Sequence, residues 1–211
     1  MKIYTPSDRI QVSVLDIRVN HNDPTNERSI KLYYESDEKR HTNVIMPNDV
    51  QMKMMLVPKI NWYNQYKGIA LEESESNLSY LTQVLSKYFS SNEYPKDERE
   101  FDRLDFMKKR DILSNYLIKK DKIFYDIPGL ATKSLRSDFT STFNNYILHR
   151  NIFAHGILVY WIVKNTFYIE HKDPATKKTS YAVLTDISFI DFATKGKKVK
   201  NILVEMDKKL K

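Results

Sequence analysis

Arg150, Asn151 and His155 are the residues of this 211-residue chain best suited to chemistry. A histidine takes up and releases a proton near neutral pH, which fits it for general acid–base work. An arginine is a permanent cation whose fork of N–H donors can grip a phosphate through two parallel hydrogen bonds. All three lie in residues 144–163, NNYILHRNIFAHGILVYWIV, which read as a helix apolar on nearly every face. Such a helix is central, covered on all sides by its neighbours. Arg150 falls in the stripe Phe143–Tyr146–Arg150–Phe153–Ile157–Trp161, and His155 in the stripe Leu148–Ile152–His155–Val159–Ile162. Ionisable groups on apolar faces must be paired or open into a cleft, because an unpaired buried charge is too costly. The plain alternative is an ion pair from Arg150 to Asp138, Glu72 or Glu73, with His155 a hydrogen-bonded core residue.

The elements expected to position that helix fall into three segments of one compact domain. Residues 1–46 suggest a β-hairpin: a strand over 10–19 with a bulge where the alternation changes parity, a turn at Asp23-Pro24, and a strand over 29–35. A bent helix over residues 8–19 is the competing reading. Residues 47–165 read as a helical bundle. Its first helix should kink or break at Pro58, and an amphipathic helix should run from Glu73 to Phe89. A third ends near Lys120, and the central helix runs from a Ser134 cap to about Lys164 with room for a kink at Gly156. Residues 166–211 read as β: a hairpin over 166–171 and 179–183, then strands over 187–192 and 199–206 around Lys195-Gly196. The fold class is therefore mainly α, a helical bundle with a C-terminal β-hairpin or small sheet and an N-terminal β-hairpin, α+β overall.

Composition narrows the chemistry. Four glycines, with no glycine-rich phosphate loop, speak against the common nucleotide-binding fingerprints. The absence of cysteine removes disulfides, thiol nucleophiles and thiolate metal sites together. His21, His41 and His171 lack ligand spacing, so neither a metal nor another cofactor is indicated. No apolar run reaches membrane-spanning length and the start lacks a leader-like core, which leads to the expectation of a soluble, cytoplasmic protein without a membrane partner. The formal charge is +7 and the pI about 9.3. Lys195, Lys197, Lys198 and Lys200 concentrate the excess late in the chain, where they can hold a polyanion or simply form a solvated edge.

The run Arg150-Asn151-Ile152-Phe153-Ala154-His155-Gly156 resembles the signature of the HEPN superfamily, whose ribonucleases carry Arg, four to six residues, then His. That spacing arises by chance about 0.6 times in a chain of this composition, so the context decides. Asn directly follows Arg, the His is embedded in Ala-His-Gly, and the run sits in the last, most buried helix of the expected bundle. The resemblance covers the helical part, roughly 48–164, through three or four specific residues. It implies a HEPN-like bundle and a metal-independent endoribonuclease in which the RNA 2′-hydroxyl attacks the adjacent phosphate. His155 would be the acid/base, Arg150 the cation facing the transition-state phosphate, and Asn151 a positioning group. His149 and the four lysines would bind RNA. Five residues apart on a helix, Arg150 and His155 point about 140° from each other. The resemblance accounts for this by pairing two protomers across the helix, so that both motifs meet in one cleft. It also places an acidic residue on an earlier helix in some members, for which Glu72 and Glu73 are candidates. The biological setting it implies is phage defence by abortive infection or a toxin–antitoxin pair, with an antitoxin protein as a further partner. The tyrosine that one toxin subgroup carries two positions after the His is Ile157 here. The alternative within the same fold is a non-catalytic RNA-binding or protein-interaction module.

Overall fold

The computed structural model describes residues 3–4, 10–18, 27–35, 49–91, 104–161, 165–173 and 176–210. In chain order the main elements are β1 (Ile3–Tyr4), β2 (Ile10–Arg18), β3 (Glu27–Glu35), α1 (Asp49–Ser91), α2 (Phe106–Ile112), α3 (Lys133–His155), β4 (Ile157–Trp161), β5 (Thr166–Lys172), β6 (Thr179–Val183) and α4 (Asp186–Lys209). This is the mainly helical fold with a small sheet that the sequence leads one to expect. The chain divides into two compact units: Met1–Ile69 with Asn151–Phe189, and Ala70–Arg150 with Ile190–Lys211. The helices α1, α3 and α4 each contribute to both.

The first unit holds all six strands, in the order β1-β6-β5-β4-β3-β2. The strands β4, β5 and β6 pair antiparallel, with Val159 opposite Tyr168 and Ile169 opposite Ala182. The N-terminal strands form the expected hairpin, in unbroken register from Ile10 opposite Glu35 to Arg18 opposite Glu27. The parity change within β2 therefore produces no bulge; the turn expected at Asp23-Pro24 lies outside the described residues. Parallel pairing of β3 with β4 completes the ladder. Val159, Trp161, Tyr168 and Tyr181 make one buried cluster of the sheet. Elsewhere in this unit Phe153 and Phe189 stack with centroids 4.9 Å apart, and Trp62 meets Phe189 edge-on.

Three expected elements differ in extent or type. The central helix does not reach Lys164: it ends at His155, and Ile157–Trp161 is a strand. A short continuous apolar run fits a buried strand as well as a buried helix, and β-branched and aromatic residues favour the strand when partners lie on both sides. The apolar-all-round helix was an effect of counting this strand into it; Ile162, which closes the second stripe, lies outside the described residues. Helix α1 is not broken at Pro58 and takes in the helix expected separately from Glu73 to Phe89. Met52, Leu56, Ile60 and Tyr63 stay buried across the proline, and that burial offsets the roughly 3 kcal/mol an interior proline costs. The third concerns residues 166–211, which are β only to Val183.

Asp186–Lys209 form α4 where two strands were expected. Phe189, Phe192, Val199, Ile202, Leu203 and Met206 are buried at three- and four-residue spacing, the period of a helix. Thr185 and Ser188 cap its start reciprocally: Ser188 N–H donates to Thr185 Oγ1 at 3.3 Å and Thr185 N–H to Ser188 Oγ at 3.4 Å. Gly196, read as a turn, sits within this helix.

The second unit is helical. Its share of α1 buries Leu81, Val84 and Leu85, and its share of α3 buries Phe139, Phe143, Tyr146 and Ile147. Asp105 caps α2, accepting from Lys108 N–H at 2.8 Å, and the helix continues through a π turn at Leu113–Ile118. The cap of α3 is Thr132, whose Oγ1 accepts from Leu135 N–H at 3.2 Å, and not Ser134.

Candidate functional site

Arg150 lies in line with the buried residues Phe139, Phe143 and Tyr146 on α3, and its side chain is 23% exposed. Its Nη2 donates to Glu75 Oε1 on α1 at 2.6 Å. Glu75 is a carboxylate partner that the sequence reading did not name. Glu72 and Asp138 are exposed, and Glu73 is half-buried, its carboxyl pushed up by that burial against the opposing pull of Lys200. Glu75 itself is 57% exposed, so its pair with Arg150 is worth less than about 1 kcal/mol. Replacing Glu75 with Ala should accordingly lower stability by less than about 1 kcal/mol in a denaturant titration; a larger loss would mean the pair is shielded from water.

One turn before Arg150, Tyr146 belongs to a buried polar cluster that the sequence did not signal. Asn77 on α1 is fully buried. Its Nδ2 donates to Tyr146 Oη at 3.0 Å and to the carbonyl oxygen of Gly196 at 3.2 Å. Its Oδ1 has no hydrogen-bond partner among the described residues. Burial raises the Tyr146 phenol far above its ordinary range, so it stays protonated. Gly196 is required by close approach: a Cβ there would come within 2.9 Å of Tyr146 Cε2. This cluster locks α1, α3 and α4 of the second unit beside Arg150.

His149 is half-buried, and its Nδ1 has no partner among the described residues. Burial pushes the imidazole down to about 4, with Lys195 acting in the same direction and Asp191 against it. At neutral pH it is uncharged, so it offers a phosphate a hydrogen bond but no cation. The unfolded chain takes up this proton near 6.5 and the folded chain only near 4, so the contribution is full above 6.5 and is lost as pH falls between them. Discounted for partial solvent access, the loss is about 2 kcal/mol. Melting temperatures followed from neutral pH to about pH 4 should show His149→Leu losing less stability than wild type; parallel acid limbs would contradict this.

In the first unit, His155 is exposed at the C-terminal end of α3, and so does not lie on an apolar face. It is not the core histidine of the plain alternative. Asn151, one turn earlier, is half-buried. Gly156 follows directly and makes the close packing there possible: a Cβ on it would lie 2.1 Å from Ile169 Cγ2 and 2.5 Å from the Ile152 carbonyl oxygen. Ile157, the next residue, is 49% exposed.

The four late lysines lie on α4 and not on a strand edge, and they do not act alike. Lys195 pairs with Asp191 one turn earlier. Lys200 lies 5.5 Å from the centroid of the Tyr80 ring, with Nζ 3.5 Å from Ser76 Oγ. Lys197 and Lys198 are exposed. Among the described residues no group of three or more His, Asp or Glu side chains has the arrangement to hold a metal, and no helix is long and apolar enough to cross a membrane. No family model, curated protein or solved structure matches this chain.

Proposed function

We propose that this protein is an endoribonuclease of HEPN type, cutting cytoplasmic RNA without a metal ion and working as a homodimer. The observation that carries the proposal is the placement of His155, a solvent-exposed imidazole at the end of the helix that also bears Arg150. An exposed imidazole can reach the 2′-hydroxyl of an RNA strand and take its proton, then return a proton to the leaving 5′-oxygen. Arg150, held by a weak pair to Glu75, is a cation that a phosphate can recruit, since the ion pair it would replace is worth less than about 1 kcal/mol. Its guanidinium would face the charge that builds on the phosphorus. Glu75 would take the place that the resemblance gives to an acidic residue on an earlier helix, orienting the guanidinium until RNA arrives. Asn151, one turn before His155, would position the imidazole or the phosphate, and His149 with Lys195, Lys197, Lys198 and Lys200 would contribute to RNA binding. Two copies pairing across α3 would let the His155 of one meet the Arg150 of the other.

Unrestrained RNA cleavage arrests the cell that makes the enzyme, which fits phage defence or a toxin held silent by an antitoxin protein. Expression of wild type should halt growth and expression of His155→Ala should not. Arrest by both would separate the toxicity from the proposed site. A second reading is favoured by the carboxylate already paired with Arg150: a non-catalytic RNA-binding or interaction module of the same fold. It predicts RNA binding that survives in His155→Ala, with no cleavage by either protein.

A further inference from the structure

The second unit contains a cleft of about 670 Å³ that the proposed reaction does not use. Four cations line it: Arg110 from α2, Lys119 just beyond the π turn, and Lys133 and Arg136 from the first turn of α3. No carboxylate is among its lining residues, whereas Ser137, Thr140 and Asn144 add polar groups from α3.

Two of the four, Lys133 and Arg136, are placed where the fold itself disfavours a cation. The N-terminal end of a helix carries a partial positive charge, and acidic residues normally occupy its first turn. The first turn of α3 has none, and Lys133 and Arg136 stand there in their place. An anion in the cleft would relieve both repulsions at once. The guanidinium of Arg136 is already oriented, lying 3.8 Å from the Tyr125 ring centroid while Nη1 donates to the Leu130 carbonyl oxygen at 2.8 Å. Arg110 is 14% exposed and is held by Asp111 Oδ1 at 3.0 Å and Asn144 Oδ1 at 3.1 Å. Its Nε is buried with no hydrogen-bond partner among the described residues. Lys119 Nζ bonds the neutral Asn115 Oδ1 at 2.9 Å. The π turn at Leu113–Ile118 includes Ile118 and leads directly to Lys119 on the cleft wall, and such turns are frequent at functional sites.

We propose that this cleft binds the phosphate of a nucleotide, either free or within an RNA strand, between the first turn of α3 and Arg110. Its volume exceeds what a lone phosphate needs and falls in the range of small-ligand sites; Ile118 and Tyr125 supply apolar wall for a ribose or base. The cations neutralise the phosphate, and the hydroxyls and amide of α3 fix its orientation. The site stands independently of RNA cleavage.

The test is fluorescence polarisation with full-length protein and two probes, a fluorescent ATP analogue and an end-labelled twelve-nucleotide RNA. Lys119→Ala/Lys133→Ala removes two exposed ammonium groups of the cleft; Lys172→Ala/Lys178→Ala removes two exposed ones elsewhere and matches the charge. The cleft variant should weaken binding of at least one probe by about tenfold or more, and the control by less than about twofold. Loss for the ATP analogue identifies a free nucleotide as occupant, and loss for RNA alone identifies a strand. Equal losses in the two variants, or no binding of either probe to wild type, would overturn the proposal.

Discussion

His155→Ala is expected to reduce RNA cleavage by about 10³-fold, equivalent to about 4 kcal/mol of transition-state stabilisation. The substitution should leave the fold nearly untouched, because the imidazole is exposed at the end of α3; an exposed position of this kind costs within about 0.5 kcal/mol. Activity and stability can therefore be read separately in this variant. Arg150→Ala is a less direct probe, since Arg150 lies in line with the buried face of α3 and carries the Glu75 pair. Arg150→Lys keeps the charge but loses the two-pronged grip on phosphate, so it should fall between wild type and His155→Ala in rate. Full activity in His155→Ala, with melting temperature unchanged, would remove His155 from the chemistry and leave α3 with a structural role only.

Gly156→Ala is expected to destabilise the protein by about 3 kcal/mol, the upper end of what overpacking usually costs. The added methyl would sit 2.1 Å from Ile169 Cγ2 and 2.5 Å from the carbonyl oxygen of Ile152. Ile169 is fully buried in the middle of the sheet and cannot swing aside, and the Ile152 carbonyl already accepts from Gly156 N–H at 2.9 Å. Either the end of α3 or strand β5 must move. Chemical denaturation of the purified variant measures the loss; a variant as stable as wild type would show that α3 and β5 are not this close. The glycine of Ala-His-Gly thus has a packing reason of its own. It lets a helix end against a strand and turn at once into β4, whether or not the neighbouring histidine does chemistry.

The same junction shows where sequence reading succeeds and where it stops. The helical part of the stripe, Phe143–Tyr146–Arg150–Phe153, follows from three- and four-residue spacing, and Phe143, Tyr146 and Phe153 are buried. The hairpin β5–β6 follows from alternation. Ile157–Trp161 carries no period at all, because Val159, Tyr160 and Trp161 are buried one after another, and only the pairing with β3 and β5 shows it to be a strand. Helix α4 was legible in principle: Thr185 and Ser188 cap it, and its apolar residues have a helical period. Lys195-Gly196 hides this, since a glycine that admits the Tyr146 ring looks the same in sequence as one that makes a turn. Glu75 could not be chosen over Glu72 and Glu73 from sequence, because a cluster of acids offers a partner on several sides and only the facing of α1 and α3 selects one. The cleft cations come from three separate stretches of chain, at 110, 119 and 133–136, which no local pattern connects.

Metal-free RNA cleavage is tested by incubating purified wild-type protein with total RNA in EDTA and analysing the product ends. The expected result is cleavage that leaves 2′,3′-cyclic phosphate and 5′-hydroxyl ends, since a 2′-hydroxyl attack needs a proton acceptor and a cation but no metal. Cleavage that requires a divalent ion and leaves 5′-phosphate ends would contradict it.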